Sequence, residues 1–210
     1  SSARFFWLVS ARAIAREAAT RGIVLLRSEL VTDGGSLRRP LLPLDPRGLR
    51  RLAVIGRLAA VANTGDHGSS NVTAPYVVTP LDGLRAALQP LGVEVLHDDG
   101  SVVERAAALA AQADAAIVVA GYDHRDEGEY MGEFPPAGFK GLLPRPSLRL
   151  IPKALVAAAK LRRGRLGLMD GGGDRRSLTL HPDEEELILS VAGANARTAV
   201  VLVCGSAILM

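Results

Sequence analysis

The sequence predicts an α/β domain in which a mostly parallel, doubly wound sheet is covered by helices on both faces. Short runs of consecutive apolar residues, such as 52–56 and 116–120, suit strands that are buried on both faces. Segments with apolar residues at helical spacing alternate with these runs. We expect one domain, 1–210, with a long insertion at about 122–180. The apolar run 207–210 has no cap or turn, so we expect the sheet to be truncated at its C-terminal end.

The composition supports a folded core. Of the 210 residues, 48% are hydrophobic, which excludes intrinsic disorder. Every apolar run is shorter than the roughly 18 residues of a membrane helix, so no membrane partner is expected. Cys204 is the single cysteine and cannot form an internal disulfide. A single cysteine offers no zinc site, and it favours a reducing compartment such as the cytoplasm without fixing the localisation.

The positive charge does not indicate a nucleic-acid partner. The formal net charge is +3, and the basic residues cluster at 38–51 and 140–165. Neither stretch carries the interleaved aromatic residues that stack on bases. We interpret both stretches as solvated loops.

The first half of the chain predicts one helix and two buried strands before residue 57. An apolar stripe that includes Ile14 and Ala18 predicts a helix from about Ala11 to Thr20. The apolar runs 23–26 and 52–56 predict strands.

Capping signals predict the next two helices. Thr79 and Pro80 start a helix that places Leu81, Leu84 and Leu88 on one face. Residues 93–96 form the next predicted strand. Ser101 and Glu104 make a capping box for an alanine-rich helix that ends near Ala111.

The predicted sheet continues with strands at 116–120 and 198–203. Between them, a short helix is expected near 152–161, inside the insertion. Pro182 and the acidic residues 183–186 start another helix. Its core face is predicted to carry Leu187, Ile188 and Val191.

Two loops follow predicted strands and are the expected place for a ligand. In a doubly wound sheet, ligands bind at the carboxyl ends of the strands. The loops are residues 65–71 and 122–130.

The second loop is rich in carboxylates. Asp123, Asp126, Glu127 and Glu129 lie within seven residues of each other. Neighbouring negative charge raises the proton affinity of a carboxyl group, which suits Glu127 to acid/base work. A solvated acidic loop, or an ion-pair partner for the arginines at 175–176, is the structural alternative. The residues alone leave both open.

The first loop suits a polyol better than a phosphate. It contains Asp66, His67, Ser69 and Ser70, and it lacks the lysine of a P-loop. A carboxylate accepts hydrogen bonds from sugar hydroxyls. The alternative is an Asx or Ser turn that only shapes the loop.

Other motifs give weaker indications. The stretch 171–176 combines three glycines with Asp174 and Arg175, which are predicted to form an ion pair. Cys204 lies beside an apolar run and is predicted to be a core residue. The four histidines show no metal-ligand spacing.

Taken in order, these pieces resemble the C-terminal α/β domain of glycoside hydrolase family three, the β-glucosidases and related exo-glycosidases. The matching stretches cover nearly the whole chain, and their order and spacing make the resemblance specific. They are residues 15–26, 53–56, 65–70, 79–84, 115–121, 127–128, 173–175 and 200–202.

The resemblance implies a retaining exo-β-glycosidase. An N-terminal barrel domain of the same parent chain would supply an aspartate nucleophile, and this domain the acid/base. The matching acid/base is Glu127, with Glu129 as the runner-up. The sugar site would include Asp66, His67, Ser69 and Ser70, and the substrate would be a β-linked glucoside or oligosaccharide. Without its barrel, the fragment is expected to be inactive.

The sequence leaves two other classes of function open. One is a non-catalytic sugar-binding α/β module, and the other is a phosphate- or nucleotide-binding α/β domain that uses the loop 65–70. It also leaves open a homo-oligomer, and an arm at 134–170 that folds over the active-site mouth.

Overall fold

A computed structural model describes residues 2–32, 38–65, 72–128, 175 and 177–209. The chain divides into two compact units, Ser1–Leu44 and Asp45–Met210. The expected single domain over 1–210, with its insertion at about 122–180, stays a prediction. The short helix expected near 152–161 lies outside the described residues.

The first unit combines a helix with a small antiparallel sheet. Helix α1 is Ser2–Gly22, and strands β1 and β2 are Leu30–Thr32 and Arg38–Pro40. The helix is confirmed, but the strand predicted at 23–26 is wrong. Those four residues have no regular structure and are 64–79% exposed. A strand needs a neighbour for its backbone hydrogen bonds, and pairing in this unit begins only at β1.

The second unit contains a four-stranded parallel sheet in the order β4-β3-β5-β6. All four strands were predicted from apolar runs in the sequence, and the structure confirms them. Their bounds are Arg51–Ile55 for β3, Glu94–Asp98 for β4, Ala115–Gly121 for β5 and Thr198–Val203 for β6.

Helices cover the sheet, as the predicted fold class requires. They are α2, Pro80–Leu88; α3, Val103–Ala111; the single turn α4, His124–Glu127; and α5, Pro182–Ala194. α3 and α5 pack together on one face, where a core cluster includes Ile55, Val118, Ala106, Leu187 and Val191. Burial of Leu187 and Val191 confirms the predicted core face of α5. None of the helices in the described part of the chain is long and apolar enough to cross a membrane.

The second face of the sheet is also buried. Leu52, Val54 and Val119 alternate with the cluster residues and are at most 1% exposed. Helix α2, which connects β3 to β4, packs against β4. The chain leaves β3 towards β4 and returns past β3 to β5, so right-handed crossovers place α2 and α3 on opposite faces.

The two predicted helix starts had different outcomes: the N-cap predicted at Thr79 is confirmed, whereas the capping box predicted at Ser101 is not found. At α2, the Thr79 hydroxyl accepts a hydrogen bond from the Asp82 amide at 3.1 Å, and the reciprocal bond is also present. At α3 the capping box is wrong. The helix begins one residue later than that box requires, and the Ser101 hydroxyl donates instead to Asp99, at 2.7 Å.

The strand order creates a crevice at one edge of the sheet. β4 lies on one side of β3 and β5 on the other, so the connections that leave β3 and β5 diverge. Such a switch point is where doubly wound sheets bind ligands, at the carboxyl ends of the strands. The loops after Ile55 and Gly121 therefore lie at the expected place for a site.

Candidate active site

A cleft of about 230 Å³ opens at this edge of the sheet. Its lining residues follow β3 or β5 or lie at the end of β6, and they are Asn63, Gly65, Tyr122, Asp123, His124, Glu127, Val203, Cys204 and Gly205. Both loops selected from the sequence contribute to it. The predicted sugar-site residues Asp66, His67, Ser69 and Ser70 lie outside the described residues.

Two glycines allow the strands to end at the cleft. Gly56 has a φ of 111° and Gly121 a φ of 129°, which disfavour any side chain. A Cβ atom at Gly56 would lie 2.3 Å from the carbonyl oxygen of Val119. One at Gly121 would lie 2.0 Å from the carbonyl oxygen of Val203. These positions therefore require glycine, because the neighbouring backbone fills the space.

Asp123 is the N-cap of α4 and is nearly buried. It accepts hydrogen bonds from the Arg125 amide at 2.8 Å and from the Arg57 guanidinium at 2.5 Å. Burial raises the pKa of Asp123, but these two hydrogen bonds outweigh it and hold the pKa below its usual range. Asp123 therefore orients the loop as an ionised carboxylate.

Glu127, at the end of α4, contacts two other parts of the chain. Its Oε1 lies 2.8 Å from Arg175 Nε and 3.2 Å from the Ser206 hydroxyl. Its Oε2 accepts a hydrogen bond of 2.6 Å from the Gly205 amide. The side chain is 18% exposed. The ion pair with Arg175 matches the structural alternative that the sequence left open.

Arg175, which forms the ion pair with this carboxylate, is buried, with 7% of its side chain exposed. Its guanidinium lies over the ring of Tyr122, 4.3 Å from the ring centroid. Nη2 donates to the carbonyl oxygen of Ala207 at 2.8 Å and to the Ser206 hydroxyl. Nη1 is buried without a hydrogen-bond partner among the described residues. The predicted ion pair of Arg175 with Asp174 lies outside them.

Tyr122, which lines the cleft, packs against His181. The Tyr122 hydroxyl donates to the carbonyl oxygen of Thr179, and its ring meets the His181 ring edge-on at 5.4 Å. His181 Nε2 lies 3.0 Å from a carboxylate oxygen of Asp126. These contacts hold α4 against the start of α5.

Glu184 connects α5 to the end of β5. Its Oε2 accepts a hydrogen bond of 3.0 Å from the Gly121 amide. Burial raises the pKa of Glu184 above its ordinary value of 4.5. Sequence reasoning took the acidic run 183–186 only as the start of a helix and missed this contact.

The structure brings one predicted catalytic residue into the cleft. Glu127 lines it, whereas the runner-up Glu129 lies outside the described residues. Cys204, predicted to be a core residue, is exposed because β6 ends one residue earlier. Sequence reasoning did not single out Arg57 or Asn63. The only signal for them was their position after β3.

Comparison with known proteins agrees with this architecture. A family model described as the glycosyl hydrolase family 3 C-terminal domain matches residues 23–210. Two solved structures share the fold. A GH3 β-glucosidase of Bifidobacterium adolescentis is 21% identical, with a TM-score of 0.51 over 86% of this chain and 20% of its own. A β-glucosidase of Erythrobacter marinus is 20% identical, with a TM-score of 0.54 over 85% of this chain and 22% of its own.

Curated relatives match the sequence itself. A probable β-D-xylosidase of Arabidopsis thaliana is 29% identical over 201 residues, 92% of this chain and 19% of that protein. A β-glucosidase of Rhizobium radiobacter is 40% identical over 77 residues, 37% of this chain and 8% of that protein. The chain thus spans about a fifth or less of the length of these relatives. With the family model matching nearly all of it, the chain belongs to the glycosyl hydrolase family 3 C-terminal domain family.

Proposed function

We propose that this chain supplies the general acid/base and part of the sugar site of a retaining, exo-acting β-glycosidase. The observation that carries the proposal is the position of α4. This acidic turn follows β5 at the switch point of the sheet and opens onto the cleft. In a family of glycosyl hydrolases, such a loop is where a proton-transferring carboxyl group would face a sugar.

The nucleophile is proposed to come from another domain. The chain covers 19% of the probable xylosidase it matches, which leaves room for an N-terminal barrel domain in the same parent chain. A retaining mechanism places its two carboxyl groups about 5–5.5 Å apart. An aspartate of the barrel would therefore lie across the cleft from the loop after β5, and this fragment alone would be inactive.

Two carboxyl groups are candidates for the acid/base, Glu127 and Glu129. The acid protonates the leaving oxygen while the nucleophile forms a glycosyl-enzyme, and the resulting carboxylate then deprotonates water. Asp123 does not suit this role, because its lowered pKa keeps it ionised and its oxygens are occupied by Arg57 and the backbone. The reaction needs no metal or organic cofactor.

The sugar site is proposed to include Asp66, His67, Ser69 and Ser70. The support is that Asn63 and Gly65, just before them, line the cleft. The names of the relatives, a β-glucosidase and a probable β-D-xylosidase, suggest aryl β-glucosides and β-xylosides as substrates to test.

The experiment compares the full-length enzyme with its Glu127→Gln/Glu129→Gln double variant. Aryl β-glucosides and β-xylosides with good and poor leaving groups are the substrates. Loss of a general acid lowers turnover about 10²–10⁴-fold when the leaving group is poor and less when it is good. A matched control is Glu94→Gln, at the opposite edge of the sheet, where an exposed ion pair with Arg51 contributes little.

Other outcomes would contradict the proposal. Unchanged turnover in the double variant would exclude this loop as the source of the acid/base. An inactive wild type that binds glucose would instead favour the sugar-binding module, and one that binds ATP without any effect of sugar would favour the nucleotide-binding domain.

A further inference from the structure

We propose that Glu127 is a positioning residue: an internal anion that fills a three-donor pocket made by Arg175, Gly205 and Ser206, rather than the group that transfers the proton. The inference rests on the proposed function and decides between its two candidate carboxyl groups.

Within the residues that the structure describes, every partner of the Glu127 carboxylate is a hydrogen-bond donor. The guanidinium of Arg175 lies at 2.8 Å, the Gly205 amide at 2.6 Å and the Ser206 hydroxyl at 3.2 Å. A guanidinium and a backbone N–H only donate hydrogen bonds, so neither can accept one from the O–H of a carboxylic acid. Both oxygens of the Glu127 carboxylate are therefore occupied by donors of the protein, whereas a general acid must present an oxygen to the leaving group.

Arg175 needs this anion. Its side chain is 7% exposed, and its other contacts among the described residues are with the Tyr122 ring, the Ser206 hydroxyl and the carbonyl of Ala207, which are all neutral. Within the part of the chain that the structure describes, Glu127 is the carboxylate paired with it. Removing the carboxylate would leave a buried charge without a partner, which is strongly unfavourable.

The pair also connects separate elements of the cleft wall. Glu127 ends α4, Gly205 and Ser206 form the turn after β6, and Arg175 lies upstream of α5. One carboxylate thus fixes the relative position of three segments around the cleft. The sequence runner-up, Glu129, is then the candidate for proton transfer.

The test uses the full-length enzyme carrying Glu127→Ala, with formate as the probe. The substitution empties the pocket but leaves its three donors, so formate should occupy it. We expect turnover to fall by the same factor, within about twofold, for good and poor leaving groups, because the group removed does not protonate the leaving oxygen. Formate should restore hydrolysis, with free sugar as the product.

Azide provides the opposing result. If Glu127 is the acid/base, azide attacks the anomeric carbon of the glycosyl-enzyme without needing a base. A C–N bond then forms while the bond from that carbon to the nucleophile breaks. Release of glycosyl azide from Glu127→Ala, together with a much larger defect for poor leaving groups, would overturn the inference. Free sugar alone supports it.

A second readout does not depend on catalysis. Formate should raise the Tm of Glu127→Ala and leave that of Glu127→Ala/Arg175→Ala unchanged, because the second variant lacks the guanidinium. Equal formate effects on both variants would overturn the inference. A wild type without glycosidase activity would refute the proposed function. The Tm comparison would still show whether Glu127 fills a pocket that binds a carboxylate.

A more conservative variant covers the case in which Glu127→Ala does not fold. Glu127→Gln keeps the shape of the side chain and replaces one acceptor oxygen by a donor. A defect equal for both leaving groups supports the positioning role. A defect confined to poor leaving groups, with glycosyl azide formed in azide, overturns it.

Discussion

The Gly205 amide donates a 2.6 Å hydrogen bond to Oε2 of Glu127, and this contact joins the turn after β6 to the helical turn after β5. The two strands are parallel neighbours, with Gly121 opposite Val203. The segments that leave them therefore emerge side by side. This register places Glu127 and Gly205 side by side in the cleft wall, and the ion pair with Arg175 holds Glu127 there.

Replacing Arg175 should destabilise the cleft wall. Arg175→Ala removes the ion pair with Glu127 and the stacking on Tyr122, so we expect a loss of about 3 kcal/mol in the free energy of unfolding. The exposed Arg125, in the same loop, is the control, and Arg125→Ala should change stability by less than about 0.5 kcal/mol. Urea unfolding measures both. Equal losses would contradict a specific role for Arg175.

A side chain at Gly121 should separate β5 from β6. Its Cβ atom would lie 2.0 Å from the carbonyl oxygen of Val203, at a φ that disfavours alanine. We expect Gly121→Ala to cost about 3 kcal/mol or more. Gly193, in α5, has no atom within 4 Å of an added Cβ, so Gly193→Ala should stabilise by up to about 1 kcal/mol. Similar effects in thermal unfolding would show that the close approach is not real.

The ion pair of Asp98 should make stability sensitive to acid. The hydrogen bond from Arg105 holds the pKa of Asp98 below its usual range. Its contribution is therefore complete above about pH 4 and is lost as the pH falls through the folded-state pKa. Asp98→Asn should cost about 1–2 kcal/mol at neutral pH, and the difference should close in acid.

The neighbouring Asp99 is the control for this prediction. It also contacts Arg105, at 2.9 Å, but its side chain is 59% exposed. Asp99→Asn should change the free energy of unfolding less than Asp98→Asn does, because solvent screens the exposed pair. A gap between wild type and Asp98→Asn that persists unchanged at low pH would argue against the ion pair as its source.

Glu184 should show the opposite pH dependence. Burial raises its pKa in the folded protein above the ordinary value of 4.5, so between the two pKa values the folded state holds a proton that the unfolded state has released. Stability therefore falls as the pH rises from the unfolded-state pKa through the folded-state pKa, and it is level above that. Glu184→Gln keeps an acceptor for the Gly121 amide and removes this loss, so it should raise the Tm at neutral pH but not in acid.

The exposed neighbour Glu185 provides the comparison. Glu185→Gln should leave the pH profile of the Tm unchanged. A lower Tm for Glu184→Gln at neutral pH would mean that the ionised carboxylate stabilises the end of β5.

Much of the fold could be predicted because its signals are local. Continuous apolar runs identify β3 to β6, and Thr79 with Pro80 locates the start of α2. The strand predicted at 23–26 was wrong, because an apolar run does not show whether a neighbouring strand is available for pairing. Ser101 does not cap α3, because its hydroxyl donates a hydrogen bond to the nearby carboxylate of Asp99 instead.

The site could be predicted only in part. Carboxylate density pointed to Glu127, and its ion pair with Arg175 was among the alternatives. The contacts with Gly205 and Ser206 could not be foreseen, because they depend on the register of β6 against β5 across 78 or more residues of sequence. Likewise, the contact of Glu184 with Gly121 depends on how α5 packs against the sheet.

An acid/base in the loop after β5 is tested most directly by the product that the full-length Glu129→Gln enzyme forms from an aryl β-glucoside with a good leaving group in the presence of azide. We expect turnover to collapse in buffer and to be rescued by azide, with glucosyl azide as the product. If this variant and Glu127→Gln both keep wild-type turnover and release only glucose, the acid/base does not lie in this loop.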